Sequence, residues 1–118
     1  PMTPDQFDDL VHAAMHDLPD WVREAFDNID VQISEEAGPN LDPDGEDLLG
    51  LYLGVPLPER GVDYAFELPD VIHIFRRPHL ELGLPPDELR DEIVKTLLHE
   101  IAHYFGIEDD YLDEIGWG

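Results

Sequence analysis

The sequence predicts a single α+β domain built around a small sheet. Three observations point there. Apolar residues recur at helical spacing toward both ends of the chain, and three stretches between them carry strand patterns. Nothing in the 118 residues marks a repeat or a domain break, and a chain of this length makes one domain, residues 1–118. The order α-α-β-β-β-α fits the α+β class.

The elements follow in chain order. Thr3 precedes Pro4, and Gln6 stands three residues after Thr3. That is a capping box with proline at the first helical position. Phe7, Leu10, Val11, Ala14 and Leu18 continue at helical spacing, so the first helix covers about 4–18. PDWVREAFDN restarts at Pro19 and predicts a second, short helix. In IDVQISEE, Ile29, Val31 and Ile33 alternate with polar partners, the period of a half-buried strand. Ala37–Asp47 is loop by composition. LLGLYLGVPL (Leu48–Leu57) reads as a second strand, and Pro58–Asp70 as a loop with room for a hairpin arm. VIHIFRRP (Val71–Pro78) reads as the third strand, ended by Pro78. The clearest helix covers roughly 86–105, with Asp87, Glu88, Asp91 and Glu92 near its positive end and Gly106 placed to stop it. DDYLDEIG predicts a last short helix.

Composition narrows the function. Net charge is 6 − 29 = −23. Such a field repels nucleic acid and anionic lipid and attracts cations. There is no cysteine, which excludes disulfides and thiolate metal sites, so a zinc ion would need His, Asp or Glu ligands. Leu48–Leu57 is too short to span a bilayer. The N-terminus shows no secretory signal, and Pro1 ahead of Met2 reads as a leftover of expression. A cytoplasmic monomer is expected.

KTLLHEIAHYFGIEDDYLDE (Lys95–Glu114) carries the chemistry. On a helical wheel His99 and His103 share one face, away from the arc of Ile93, Leu97, Ile101 and Phe105. Four-residue spacing lets two imidazoles hold one metal ion. Glu100 lies about 100° round the wheel from His99, which suits a base reaching a metal-bound water and does not suit a third ligand. Gly106 lets the chain reverse, and Asp109 follows three residues later, giving H-E-x-x-H-x-x-G-x-x-D. Asp109 is the favoured third ligand. Glu114 is the alternative, with Glu108, Asp110 and Asp113 also nearby.

This motif resembles the signature of zincin-type metallopeptidases. Together with LLGLYLGVPLPERG (Leu48–Gly61), HIFRRPHLE (His73–Glu81) and EIVKTLLHEIAHYFGIEDDYLDEIGW (Glu92–Trp117), the chain is similar to a family of small bacterial predicted zincin-like metallopeptidases. The resemblance covers about Thr3 to Trp117. It implies a minimal zincin-like fold: a small mixed three- or four-stranded sheet packed with an N-terminal helix and a long active-site helix, and a ligand-bearing C-terminal segment. It puts His99, Glu100, His103 and Asp109 at the motif positions. The chain departs from the larger metzincin group in having no methionine after the motif.

A zinc peptidase is the reading this supports, with Glu100 as general base and a peptide or protein as substrate. The acidic field favours basic or neutral peptides. Candidate electrophiles are Tyr104, Tyr111, His73 and His79. The third strand, nearest in sequence, is the candidate edge for an extended peptide, and Arg76 and Arg77 either seat a substrate carboxylate or neutralise local acids. The alternative is a non-catalytic metal-binding module of the same fold, and the short chain favours it by leaving little wall for a cleft. A metal-dependent RNA nuclease fits neither the charge nor Glu100. Asn40, Asp42 and Asp44 resemble half a calcium loop, but Leu51 stands where a glutamate is needed, so a tight acidic turn is expected. His12 and His16 repeat the four-residue spacing without an accompanying glutamate and read as surface residues. Trp21 and Trp117 read as core or rim aromatics.

Overall fold

The computed structural model of the chain describes residues 2–61 and 70–114, the side chains of Leu112 and Asp113 excepted. The expected hairpin arm before Asp70, the competing ligand Asp113 and Trp117 therefore lie outside the described residues.

The capping box forms as the sequence predicts. The Gln6 N–H donates to Thr3 Oγ1 at 3.1 Å and the Thr3 N–H to Gln6 Oε1 at 2.9 Å, starting helix α1 (Pro4–His16). Its stripe of Phe7, Val11 and Ala14 is fully buried. Helix α2 (Asp20–Ala25) and a 3₁₀ turn (Phe26–Asn28) lead into strand β1 (Ile29–Ser34). The expected loop contains one helical turn, α3 (Gly38–Leu41), with Pro39 in its first turn, where no N–H is needed. Asp42 folds the rest of that loop around itself. Its carboxylate accepts from the Glu46 and Asp47 N–H groups at 2.8 and 2.9 Å, as an acidic turn requires.

Strand β2 (Gly50–Leu53) runs antiparallel to strand β3 (Asp70–Phe75), and β1 runs parallel to β3 on its other side, giving the order β1-β3-β2. This corrects the expectation of a substrate-binding edge: β3 is the central strand. Its two backbone edges are both paired, and its Ile72, Ile74 and Phe75 are fully buried. Pro78 does not end β3 either. The chain turns at Phe75 into helix α4 (Arg76–Leu80), with Pro78 as its third residue. The first four N–H groups of a helix have no intrahelical partner, so a proline there forfeits no hydrogen bond.

Helix α5 (Pro86–Tyr104) lies on the sheet and on α1. Leu89, Ile93, Leu97 and Ile101 join Phe7, Val11, Ile72 and Ile74 in one core. Each such side chain contributes roughly 1.5–3 kcal/mol on burial. Arg90 on α5 reaches back to Asp17 at 2.5 and 2.6 Å and fastens the end of α1. A further buried stripe of α5 is partly polar: Thr96, Glu100 and Tyr104 are at most 6% exposed. Helix α6 (Asp109–Glu114) closes the described chain. Among the described residues no helix is long and apolar enough to cross a membrane.

Candidate metal centre

The last turns of α5 and the reversal after it bring the motif residues together. The His99 and His103 rings lie 4.8 Å apart between centroids, nearly perpendicular. The helix ends in a Schellman turn. The Gly106 N–H donates to the His103 carbonyl and the Ile107 N–H to the Ala102 carbonyl, both at 2.9 Å. Gly106 sits at φ 83°, which costs a residue with a Cβ, and an added Cβ would also meet Pro58 Cγ at 2.5 Å. The reversal delivers Asp109 to both rings: its Oδ1 is 3.1 Å from His99 Nε2 and 2.7 Å from His103 Nε2.

These three atoms suit a small divalent cation. Tetrahedral zinc with bonds of about 2.0–2.1 Å separates its ligand atoms by about 3.3 Å, near the 3.1 Å from Asp109 to His99 and longer than the 2.7 Å hydrogen bond to His103, which would open to admit the ion. Two imidazoles and a carboxylate, with no thiolate within reach, form a nitrogen–oxygen donor set of the zinc type. Glu100 is close enough to be counted with the two histidines, since the ligand atoms of the three lie within 4.8 Å of one another. Its position argues for another role. Its side chain is 8% exposed, and its Oε1 accepts from the Tyr52 N–H at 2.8 Å and faces His103 Nδ1 at 3.3 Å. It therefore meets the ring nitrogen of His103 that does not meet Asp109. With Nδ1–H donated to Glu100, Nε2 is left toward Asp109, the orienting arrangement common to metal-bound histidines.

Without a metal, both nitrogens of His103 face carboxylates, which favours the doubly protonated ring. The hydrogen bond to Glu100, and after it that to Asp109, pushes the His103 pKa up to about 9. The His103 contact in turn holds the Asp109 carboxyl below its usual range. A cation between the rings would take the place of the Nε2 proton.

Two clefts flank the site. One of about 400 Å³ is lined by Glu46, Leu48, Leu49, Lys95, His99 and Glu100. The other, about 210 Å³, is lined by Pro56, Glu59, His103, Gly106 and Asp109.

Other expected participants lie elsewhere. His79 is fully buried, bonded through Nδ1 to the Phe75 carbonyl at 2.8 Å and through Nε2 to the Thr96 hydroxyl at 2.9 Å. Tyr104 is buried against Tyr52. His73 stacks on Phe75, and burial pushes its pKa down. Tyr111 is exposed on α6. Arg76 binds Asp8 and Glu35, and Arg77 binds Glu36, Asp47 and Glu81, so both neutralise acids. Glu108, Asp110 and Glu114 are exposed, and His12 and His16 sit exposed on α1. The contact sequence reasoning missed is Tyr52 to Glu100. The run of apolar residues around Tyr52 marked a strand but not which of its N–H groups would face a helix.

A model of the family described as zincin-like metallopeptidase matches residues 26–117. A solved structure, a conserved hypothetical protein from Thermo thermophilus, is similar with a TM-score of 0.60 and 25% identity, over 88% of this chain and 94% of that one. No curated protein sequence matches.

Proposed function

The chain belongs to the zincin-like metallopeptidases, and on that premise we propose that it is a zinc-dependent peptidase. His99, His103 and Asp109 hold the ion, and Glu100 is the general base. The observation that carries this reading is the approach of Asp109 Oδ1 to the Nε2 atoms of both histidines. Zinc bound there supplies Lewis acidity, which lowers the pKa of a water toward about 7 and polarises a carbonyl.

The rest of the chemistry belongs to the chain. Glu100 Oε1 is anchored by the Tyr52 N–H and by His103. Oε2 is the atom assigned to the proton, taking it from the attacking water and returning it to the leaving amine. The cleft beside Leu48 and Leu49 seats the substrate next to His99 and Glu100. A chain of net charge −23 draws basic or neutral peptides there more readily than acidic ones.

One observation favours a second reading, a metal-binding module without hydrolysis. Glu100 Oε1 is already committed to two partners and serves to position His103. A single experiment separates the two. Zinc-loaded protein is incubated with a peptide library and products are read by mass spectrometry. The peptidase gives defined cleavages that vanish in Glu100→Gln while zinc is retained. Zinc retained by the unaltered protein with no cleavage selects the module. Failure to retain zinc at all overturns both.

A further inference from the structure

Segment 54–60 crosses between β2 and the end of α5, and a buried ion pair holds it there. Arg60 Nη2 donates to both Asp70 oxygens at 2.6 Å, with the two side chains 19% and 5% exposed. Arg60 Nε donates to the Val55 carbonyl at 2.7 Å, and the guanidinium lies 5.4 Å from the centre of the Tyr104 ring. The Tyr52 hydroxyl donates to Asp70 Oδ1 at 2.7 Å. Gly54 passes directly over this contact: a Cβ there would run into Asp70 Oδ1 and the Tyr52 hydroxyl.

A buried ion pair is weak as a source of stability, because desolvating two charges cancels most of their attraction. This one touches the metal centre twice. Through Tyr52 it fixes the strand whose N–H meets Glu100. Through the 3₁₀ turn Leu57–Glu59 it seats Pro58 against Gly106, in the reversal that aims Asp109. Tyr52, Gly54, Pro58 and Arg60 all belong to one short stretch, and none of them is placed to ligate the ion.

We propose that Arg60 is the positioning residue of the metal centre, acting through Asp70 to hold Glu100 from one side and the Asp109-bearing turn from the other. This rests on the reading of His99, His103 and Asp109 as ligands. Loosening the clamp frees the Gly106 turn, so Asp109 no longer meets both rings and zinc is held by two imidazoles alone.

The test compares Arg60→Met, Arg60→Lys and Pro58→Gly with the unaltered protein. Zinc affinity is measured by competition with a chromogenic chelator. In metal-free protein, the ¹⁵N shifts of the His99 and His103 rings are recorded together with the melting temperature. Arg60→Met is expected to weaken zinc binding about 10- to 100-fold, the range typical of groups that orient ligands, and to move the ring shifts as Asp109 leaves. Arg60→Lys restores part of the affinity, because an ammonium can still reach Asp70. Pro58→Gly leaves the ion pair intact and lies on the surface, so it folds; it still weakens zinc binding and moves the same shifts. Melting that falls while affinity and ring shifts stay fixed overturns the proposal and leaves a purely structural ion pair. Unmoved ring shifts in Pro58→Gly also overturn it. Loss of the ligand reading shows separately, as zinc binding that His99→Ala leaves unchanged.

Discussion

His79 and His103 each have both ring nitrogens engaged, yet their surroundings drive them to opposite charge. His79 gives its Nδ1 proton to a carbonyl, and its Nε2 faces a hydroxyl that can donate. It sits wholly inside the core, where burial pushes its pKa down. His103 has a carboxylate on each side at the rim of the helix, and its pKa rises to about 9. Neutral partners in a dry interior make an imidazole a packing element. Acid partners beside solvent make one whose Nε2 proton is exchangeable for a cation. Burial decides the charge of the first ring, and carboxylate partners decide that of the second.

Substituting each ring tests that contrast most strongly. His103→Ala should lower zinc affinity by more than about 100-fold, beyond the range for orienting partners, with little change in metal-free melting. His79→Ala should do the reverse. It leaves a cavity where the ring stood, at a cost of about 2–5 kcal/mol in urea unfolding, while the folded protein binds zinc as before. Zinc loss in His79→Ala without loss of stability would collapse the distinction.

A smaller effect sharpens it. The Thr96 hydroxyl also lies 3.1 Å from the Glu92 carbonyl, but it has one proton, and a neutral His79 needs it at Nε2. Thr96→Val keeps the shape and removes the proton. It should cost about 1–3 kcal/mol, the penalty of a buried group left unpaired, and Thr96→Ser should recover most of it in the same unfolding assay.

The smallest effect is in the pH profile of the metal-free protein, where the two rings carry opposite signs. The His79 pKa is lowered on folding, so its stability is present above the unfolded value of 6.5 and is lost as pH falls below it. The His103 pKa is raised, so its stability is full below 6.5 and is lost as pH rises through about 9. Melting temperatures across about pH 5 to 10 should fall at both ends, and His103→Gln should flatten only the alkaline limb. An alkaline limb unchanged in that variant would mean that another group sets it.

Much of the site was legible because it is local. His99, Glu100 and His103 sit at fixed spacing on a strongly patterned helix, Gly106 marks its stop, and Asp109 follows at the distance a Schellman reversal returns. What the sequence hid depends on long-range packing. Thr96, Glu100 and Tyr104 are polar or amphipathic, and nothing local marks them as buried, yet the sheet covers them. His79 resembled any other histidine near the motif, since burial leaves no mark on a single residue. The place of β3 was recoverable: VIHIF is nearly continuous in apolar residues, as suits a central strand. Arg60 and Asp70 follow no period, and their pairing shows only in three dimensions.

All three proposed ligands fall within eleven consecutive positions, 99 to 109, whereas the hydrogen bond that steadies Glu100 joins residues 48 positions apart. Closing the longer loop costs about 1 kcal/mol more in chain entropy alone. The helix alone sets the spacing of the two imidazoles, while the approach of the carboxylate depends on Pro58 packed at Gly106 and the base depends on the sheet. On the peptidase reading, hydrolytic competence arrives only with the finished fold.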